Sequence, residues 1–334
     1  MTRRNWPDYA RQLAPGLMIA ILVAISAQFV AEHYGAPAML MALLFGIALN
    51  FLGDEESAAP GIAFGSRGLL RIGVALLGAR ISAALLADLG LATLLMLTVS
   101  TALTIFFGIA LGRLLKLGPR FSVLTAGAVA ICGVSAAMAI AAVQPVSERS
   151  ERNLMFTVMG VTLLSTIAMI LYPAIATGLG LSEHQAGIFL GGTIHDVAQV
   201  VGAGFSISPE TGETATLVKL IRVGMLAPVV LILSIAYRNK RDQGDSASIP
   251  ILPGFVVGFA ALAALSSLGL ITEWLRDVLG HLSRWALLIA IAGVGLRTRL
   301  DEVLQVGARP IALLVGETLF LGVFIIAACK LLGL

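Results

Sequence analysis

The residues best suited to chemistry stand in Gly191–Gly204, GGTIHDVAQVVGAG, where Thr193, His195, Asp196 and Gln199 interrupt an otherwise apolar run. Polar side chains in such surroundings are costly, so they serve a function or are buried in a bundle. Thr193 and Asp196 have the spacing of an N-cap and its third helical residue, so a helix is expected to run from Ile194 onward. The unpaired N–H groups of that start carry partial positive charge and suit an anion. His195 and Gln199, four apart, are expected on one helix face, where they could bond to substrate or to each other. His195 with Asp196 could also exchange a proton and couple movement to a gradient. The structural alternative is that Thr193 and Asp196 only cap a buried half-helix and His195 satisfies a carbonyl.

A second, weaker signal is AICGVS, Ala130–Ser135, in which Gly133 permits a turn and Ser135 offers a hydroxyl near the helix that follows. Such Ala-Gly-Ser patterns also serve close helix packing in membranes. Cys132 reads as a small buried hydrophobe. Lys219 and Arg222, three residues apart in ETATLVKLIRVGMLAP, share a helical face. They need partners, with Asp196 or a bound oxyanion as candidates; snorkelling to the headgroups is the alternative. Glu317 lies well inside an apolar stretch, where it either pairs with an arginine or takes part in proton coupling.

The elements that must position these residues belong to a bilayer. Hydrophobic residues make up 58% of the 334 positions and charged ones 12%, about half the ~25% usual in soluble domains, so a water-facing surface could not be assembled. A spanning helix needs roughly 20 apolar residues. Spans are read at 15–31, 38–52, 62–79, 91–112, 153–175, 214–236, 253–270, 283–297 and 309–332. Two further apolar segments, 121–144 and 186–205, are interrupted at AICGVS and GGTIHD, where glycines and polar groups are expected to split a helix in two. The fold class is thus all-α and polytopic, with re-entrant or fully crossing discontinuous helices both open. Arg3, Arg4, Arg11, Arg113, Lys116, Arg120, Arg238, Lys240 and Arg241 mark one side as cytoplasmic, the amino terminus included. The net charge of +3 gives no reason to expect a nucleic-acid partner, and two separated cysteines, Cys132 and Cys329, form no disulfide or metal framework.

The chain reads as one integral membrane domain, 1–334, with repeat-like halves near 37–175 and 186–334. SRGLLRIGVALLGAR (Ser66–Arg80) and SRWALLIAIAGVGLR (Ser283–Arg297) match at one constant offset, which Gly90 and Gly307 continue and Pro37 and Pro253 nearly keep. This points to an inverted duplication, permuted in order, or to chance likeness among Ala, Gly and Val runs. The arginines at the ends of these spans, Arg67, Arg71, Arg80, Arg284 and Arg297, are expected to snorkel or to cap helix ends.

Four blocks in order, GVALLGARIS, AICGVSAAMAIAAV, GGTIHDVAQVVGAG and KLIRVGMLAP, resemble the YeiH-type family, which is assigned to sulfate export. The likeness covers nearly the whole chain. It implies a bacterial inner-membrane secondary transporter for sulfate or a related small inorganic anion, using broken helices at a pseudo-two-fold axis. Carried onto this chain, its polar blocks fall on Gly133, Ser135, His195, Asp196, Gln199, Lys219 and Arg222. Thr193 joins them as a hydroxyl for the substrate, and Glu317 joins His195 and Asp196 for proton or ion coupling. No cofactor or metal is expected; protons or sodium are the candidate coupling ions, and homo-oligomerisation stays open. A cation/proton antiporter or sodium-coupled carrier is the rival within transport. An intramembrane enzyme or sensor is a more distant one, because no HExxH or GxSxG motif occurs.

Overall fold

The structure, a computed structural model, describes residues 6–34, 36–80, 83–145, 149–237, 254–298 and 308–333. Arg3, Arg4, Arg238, Lys240 and Arg241 of the charge pattern, and Pro253 and Gly307 of the matched pairs, lie outside the described residues. All regular structure among the described residues is helical. In chain order the helices are α1 (Trp6–Tyr34), α2 (Ala38–Ala48), α3 (Ala59–Phe64), α4 (Leu70–Leu77), α5 (Ala83–Leu114), α6 (Pro119–Ala130), α7 (Val134–Val143) and α8 (Ser150–Gly178). They continue as α9 (Glu183–Thr193), α10 (Val197–Ile207), α11 (Pro209–Gly224), α12 (Leu226–Tyr237), α13 (Gly254–Ser267), α14 (Glu273–Leu296) and α15 (Ala308–Leu332). Among the described residues seven stretches are long and apolar enough to cross a membrane, and α2, α7, α10 and α13 are shorter apolar helices.

Three expected spans are found with other ends or with an internal irregularity. The one placed at 283–297 begins ten residues earlier, at Glu273, because the Thr272 hydroxyl accepts from Leu275 N (3.4 Å) and caps an amphipathic first half. The one placed at 62–79 is found as one span, Ala59–Arg80, with a π turn over Gly65–Leu69 between α3 and α4 and a 3₁₀ turn, Gly78–Arg80, at its end. The one placed at 214–236 runs as one span from Pro209 to Tyr237, with a turn at Met225 just ahead of Pro228. Proline lacks the N–H that the preceding turn needs. Ser208 Oγ accepts from Thr211 N (3.1 Å), giving α11 its cap with proline in the first position.

The residues fall into two compact units. One comprises Met1–Leu86, Val201–Glu213 and Gly254–Arg299. Inside it helices approach closely through small residues: Gly16 and Gly61 let α1 meet α3, and Gly46 and Gly295 let α2 meet α14. Buried hydroxyls tie the backbone, with Ser283 Oγ donating to Gly73 O (2.6 Å) and Ser266 Oγ to Ala79 O (2.8 Å). Arg80 pairs with Glu213 (2.8 Å), which corrects its reading as a snorkelling or capping arginine: a part-buried carboxylate is its partner. Arg297 Nη1 donates to Ser66 Oγ (3.2 Å), so the first residue of one matched segment meets the last of the other. Arg67, Arg71 and Arg284 are exposed.

The other unit comprises Ala87–Val200, Thr214–Pro253 and Leu300–Leu334. Here α15 packs on α6, α8 and α9, and α7 packs on α6, α8 and α12. This unit holds every residue of the candidate site.

Candidate functional site

Two breaks in this unit, between α6 and α7 and between α9 and α10, frame the candidate site, and in each case local chemistry accounts for where it falls. After Ala130, Ile131 turns away (φ −118°, ψ −88°) and Gly133 adopts φ +62°, a region essentially closed to residues with a β-carbon. Gly133 N donates back to Ala128 O (2.8 Å), closing the end of α6, and Gly133 O accepts from Ala137 N (2.9 Å), opening α7. No side chain caps α7, so its first amides keep their positive character unmasked.

The second departure follows α9, which starts from a reciprocal capping box between Ser182 and Gln185. Thr193 is the last residue of α9, and its hydroxyl donates to Phe189 O (2.6 Å). Ile194 is extended, and α10 begins only at Val197. Asp196 is the residue before that start: its Oδ1 accepts from Ala198 N (3.4 Å) and its carbonyl from Val200 N (3.1 Å). The expected N-cap at Thr193 is therefore wrong by three residues. A threonine already inside a helix satisfies its hydroxyl on the carbonyl four back, and the short aspartate takes the cap. The N–H groups of His195 and Asp196 both donate to Ser165 Oγ (3.1 and 3.0 Å), which α8 supplies.

Lys219 and Arg222 project from α11 one turn apart, and both are fully buried. Lys219 Nζ donates to Ile131 O and to Ile194 O, each at 2.8 Å. Arg222 Nη1 donates to Gly192 O, and Nη2 to Ala130 O and, at 3.3 Å, to Val129 O. Each cation thus touches both departures. The groups it satisfies are the orphan carbonyls at the C-terminal ends of α6 and α9, where the helix dipole is negative. Snorkelling is ruled out by the burial; the hydrogen bonds run to carbonyls, and the Asp196 carboxylate acts on Lys219 through its charge. Arg222 Nε keeps no partner.

His195 is fully buried, with Nε2 2.9 Å from Thr318 Oγ1 on α15 and Nδ1 without a partner. It precedes α10 instead of lying on it, so His195 and Gln199 do not share a helix face and do not bond to each other; this corrects the expected pairing. Gln199, in the first turn of α10, is fully buried, and neither end of its amide has a partner. A β-carbon built on Gly133 would stand 3.4 Å from His195 O, so the two departures abut. Ser135 is exposed on the first turn of α7, and Asp196 is part-buried.

Glu317 is fully buried beside Thr318, facing elsewhere: Oε1 accepts from Thr125 Oγ1 (3.0 Å), and Oε2 has no partner. Its expected pairing with an arginine is corrected to a hydroxyl contact. The bare Cα of Gly108 makes the room, since a β-carbon there would clash with the carboxyl. Cys132 and Cys329 are both buried thiols. Ser165, Thr318 and Thr125 were not singled out from sequence. A lone hydroxyl residue in an apolar helix is indistinguishable there from a packing residue.

A family model described as conserved hypothetical protein 698 matches residues 15–314. The chain is 60% identical over 322 residues to a UPF0324 membrane protein TauZ of Paracoccus pantotrophus, covering 96% of this chain and 95% of that protein. A UPF0324 membrane protein of Rhizobium meliloti (strain 1021) is 58% identical over 321 residues, covering 96% and 93%. One of Caulobacter vibrioides is 38% identical over 326 residues, covering 96% and 69%. No solved structure matches the chain.

Proposed function

Because this chain belongs to the UPF0324 membrane-protein family, that of the conserved hypothetical protein 698 model and the YeiH-type proteins, we propose that it is a secondary active transporter. Its cargo is sulfate or a related small inorganic oxyanion such as sulfite, bound where the two helix departures meet. We place it in the bacterial inner membrane with a cytoplasmic amino terminus. The observation that carries this reading is the pair of buried cations, Lys219 and Arg222, seated on the carbonyls of both departures. A buried charge must be compensated. Carbonyl dipoles do so without cancelling the charge, and two cations outnumber the one nearby carboxylate, Asp196, so the place attracts an anion.

The same seating argues against a sodium-coupled carrier. Sodium at a helix break is coordinated by unwound backbone carbonyls. Here a tethered ammonium already holds two of them, Ile131 O and Ile194 O. Remaining for the anion are the amide end of α7, Arg222 Nε, the Gln199 amide and the hydroxyl of Ser135. Thr193 leaves this set, because its hydroxyl serves Phe189 O. A proton is the coupling ion that fits, with His195, Asp196 and the half-satisfied Glu317 as its carriers. Uptake of labelled sulfate and sulfite by the purified protein in liposomes tests the reading. The wild type should accumulate at least one of them and Lys219→Ala should not; equal uptake by both would overturn the assigned site.

A further inference from the structure

We infer that the anion accepted at this site keeps a proton: it is a hydrogen oxyanion, carrying both oxygen acceptors and an O–H donor, in preference to a fully ionised one. The inference rests on the anion reading above and names its substrate class.

Gln199 carries the argument. It stands in the first turn of α10, is 0% exposed, and has neither Oε1 nor Nε2 hydrogen-bonded. Exchanging the two amide atoms changes nothing, because both lack partners. A buried amide with both ends open calls for one donor and one acceptor from whatever occupies the site, and leaving either unmet carries a desolvation penalty.

His195 is held by Thr318. The Thr318 hydroxyl donates to Leu314 O (2.8 Å), so its proton is committed. The contact from His195 Nε2 (2.9 Å) must then be an N–H donated to the Thr318 oxygen. The ring's Nδ1 faces the Val129 carbonyl, itself an acceptor, so it is not counted among the open groups. Arg222 Nε, whose neighbouring nitrogens hold Gly192 O and Ala130 O beside the same departures, is an open donor.

Gln199 on α10 thus offers one open donor and one open acceptor, and Arg222 on α11 a further open donor in Nε. Sulfate in its fully ionised form brings only acceptors and would leave Gln199 Oε1 without a donor. Hydrogen sulfite, hydrogen carbonate or dihydrogen phosphate meets both kinds. A site whose polar groups are built for a donor rejects the analogue that lacks it, because its own buried groups are then left unpaired.

The test uses three pH-invariant probes on the purified full chain, read as ligand-induced shifts of thermal unfolding at constant ionic strength. Sulfamate is a monoanion with N–H donors; methanesulfonate has the same charge and nearly the same size without a donor; sulfate is a dianion without a donor. Sulfamate should bind at least ~10-fold more tightly than either of the others, the worth of one buried hydrogen bond. Gln199→Leu should bring the sulfamate and methanesulfonate affinities together. Equal binding of sulfamate and methanesulfonate by the wild type, or tighter binding of sulfate, overturns the inference while leaving the anion reading standing. Discrimination retained by Gln199→Leu overturns the role of Gln199. Should none of the three probes, nor sulfite, carbonate or phosphate, shift the wild type, the anion reading itself falls.

Discussion

Lys219 Nζ lies 2.8 Å from the carbonyl oxygen of Ile194, the extended residue between α9 and α10, and holds Ile131 O at the same distance with a second proton. One side chain thereby satisfies the end of two helices. Lys219→Ala removes both bonds and leaves two buried carbonyls unmet, for a loss of roughly 2–4 kcal/mol. Thermal unfolding in detergent should show a clear drop in midpoint for Lys219→Ala and a smaller one for Lys219→Arg, which can still reach carbonyls. An unchanged midpoint for Lys219→Ala would mean that the carbonyls are satisfied in another way.

Gly133 is the position most tightly specified by backbone geometry. Its φ of +62° disfavours a β-carbon, which would otherwise sit in ordinary contact with His195. Gly133→Ala should cost about 1–3 kcal/mol, measured by the same unfolding assay, whereas Gly178→Ala, where a β-carbon meets nothing, should be neutral or slightly stabilising.

The capping assignment is tested by a pair of substitutions. Asp196→Ala should lose about 1 kcal/mol through its cap on α10. Thr193→Ala should lose less, because its hydroxyl only returns to Phe189 O. The opposite order of midpoints would restore Thr193 as the cap.

Thr318→Val removes the acceptor for His195 Nε2 while keeping shape. A buried donor is then orphaned, at about 1–3 kcal/mol. Thr318→Ser should restore both the stability and the transport rate; failure of the serine variant to do so would argue that the methyl group, not the hydroxyl, is what α15 contributes.

Glu317→Gln keeps an oxygen for Thr125 Oγ1 but removes a titratable group. If Glu317 carries the coupled proton, this variant should bind oxyanion as the wild type does yet lose stimulation of uptake by an imposed pH gradient. Stimulation of the wild-type size would remove Glu317 from the coupling path.

How much of this was legible in the letters depends on the kind of atom involved. The long apolar helices were, because the bilayer demands a length and composition that any window registers. The early start of α14 was not, since Glu273, Arg276 and Asp277 read as a loop until Thr272 is seen to cap them. The polar residues around Asp196 stood out by contrast with their surroundings. Their geometry did not: Thr193 and Asp196 are equally good caps on paper, and the extended Ile194 that separates α9 from α10 has no signature of its own. The partners of Lys219 and Arg222 were invisible for a simpler reason: they are backbone carbonyls, and every residue has one. Ser165 and Thr318 were missed because a lone hydroxyl residue in a membrane helix has many bland uses.

The central claim is that the buried positive charge at the two helix departures serves an anion and stands where sodium would otherwise bind. Thermal unfolding of the purified protein across a panel of small oxyanions, each with sodium and with choline as the counter-ion, addresses it most directly. The account predicts a concentration-dependent rise in midpoint with at least one oxyanion, the same in either counter-ion and absent in Lys219→Ala protein that still unfolds cooperatively. A rise produced by sodium whatever the anion, with no response to any oxyanion in choline, would contradict it.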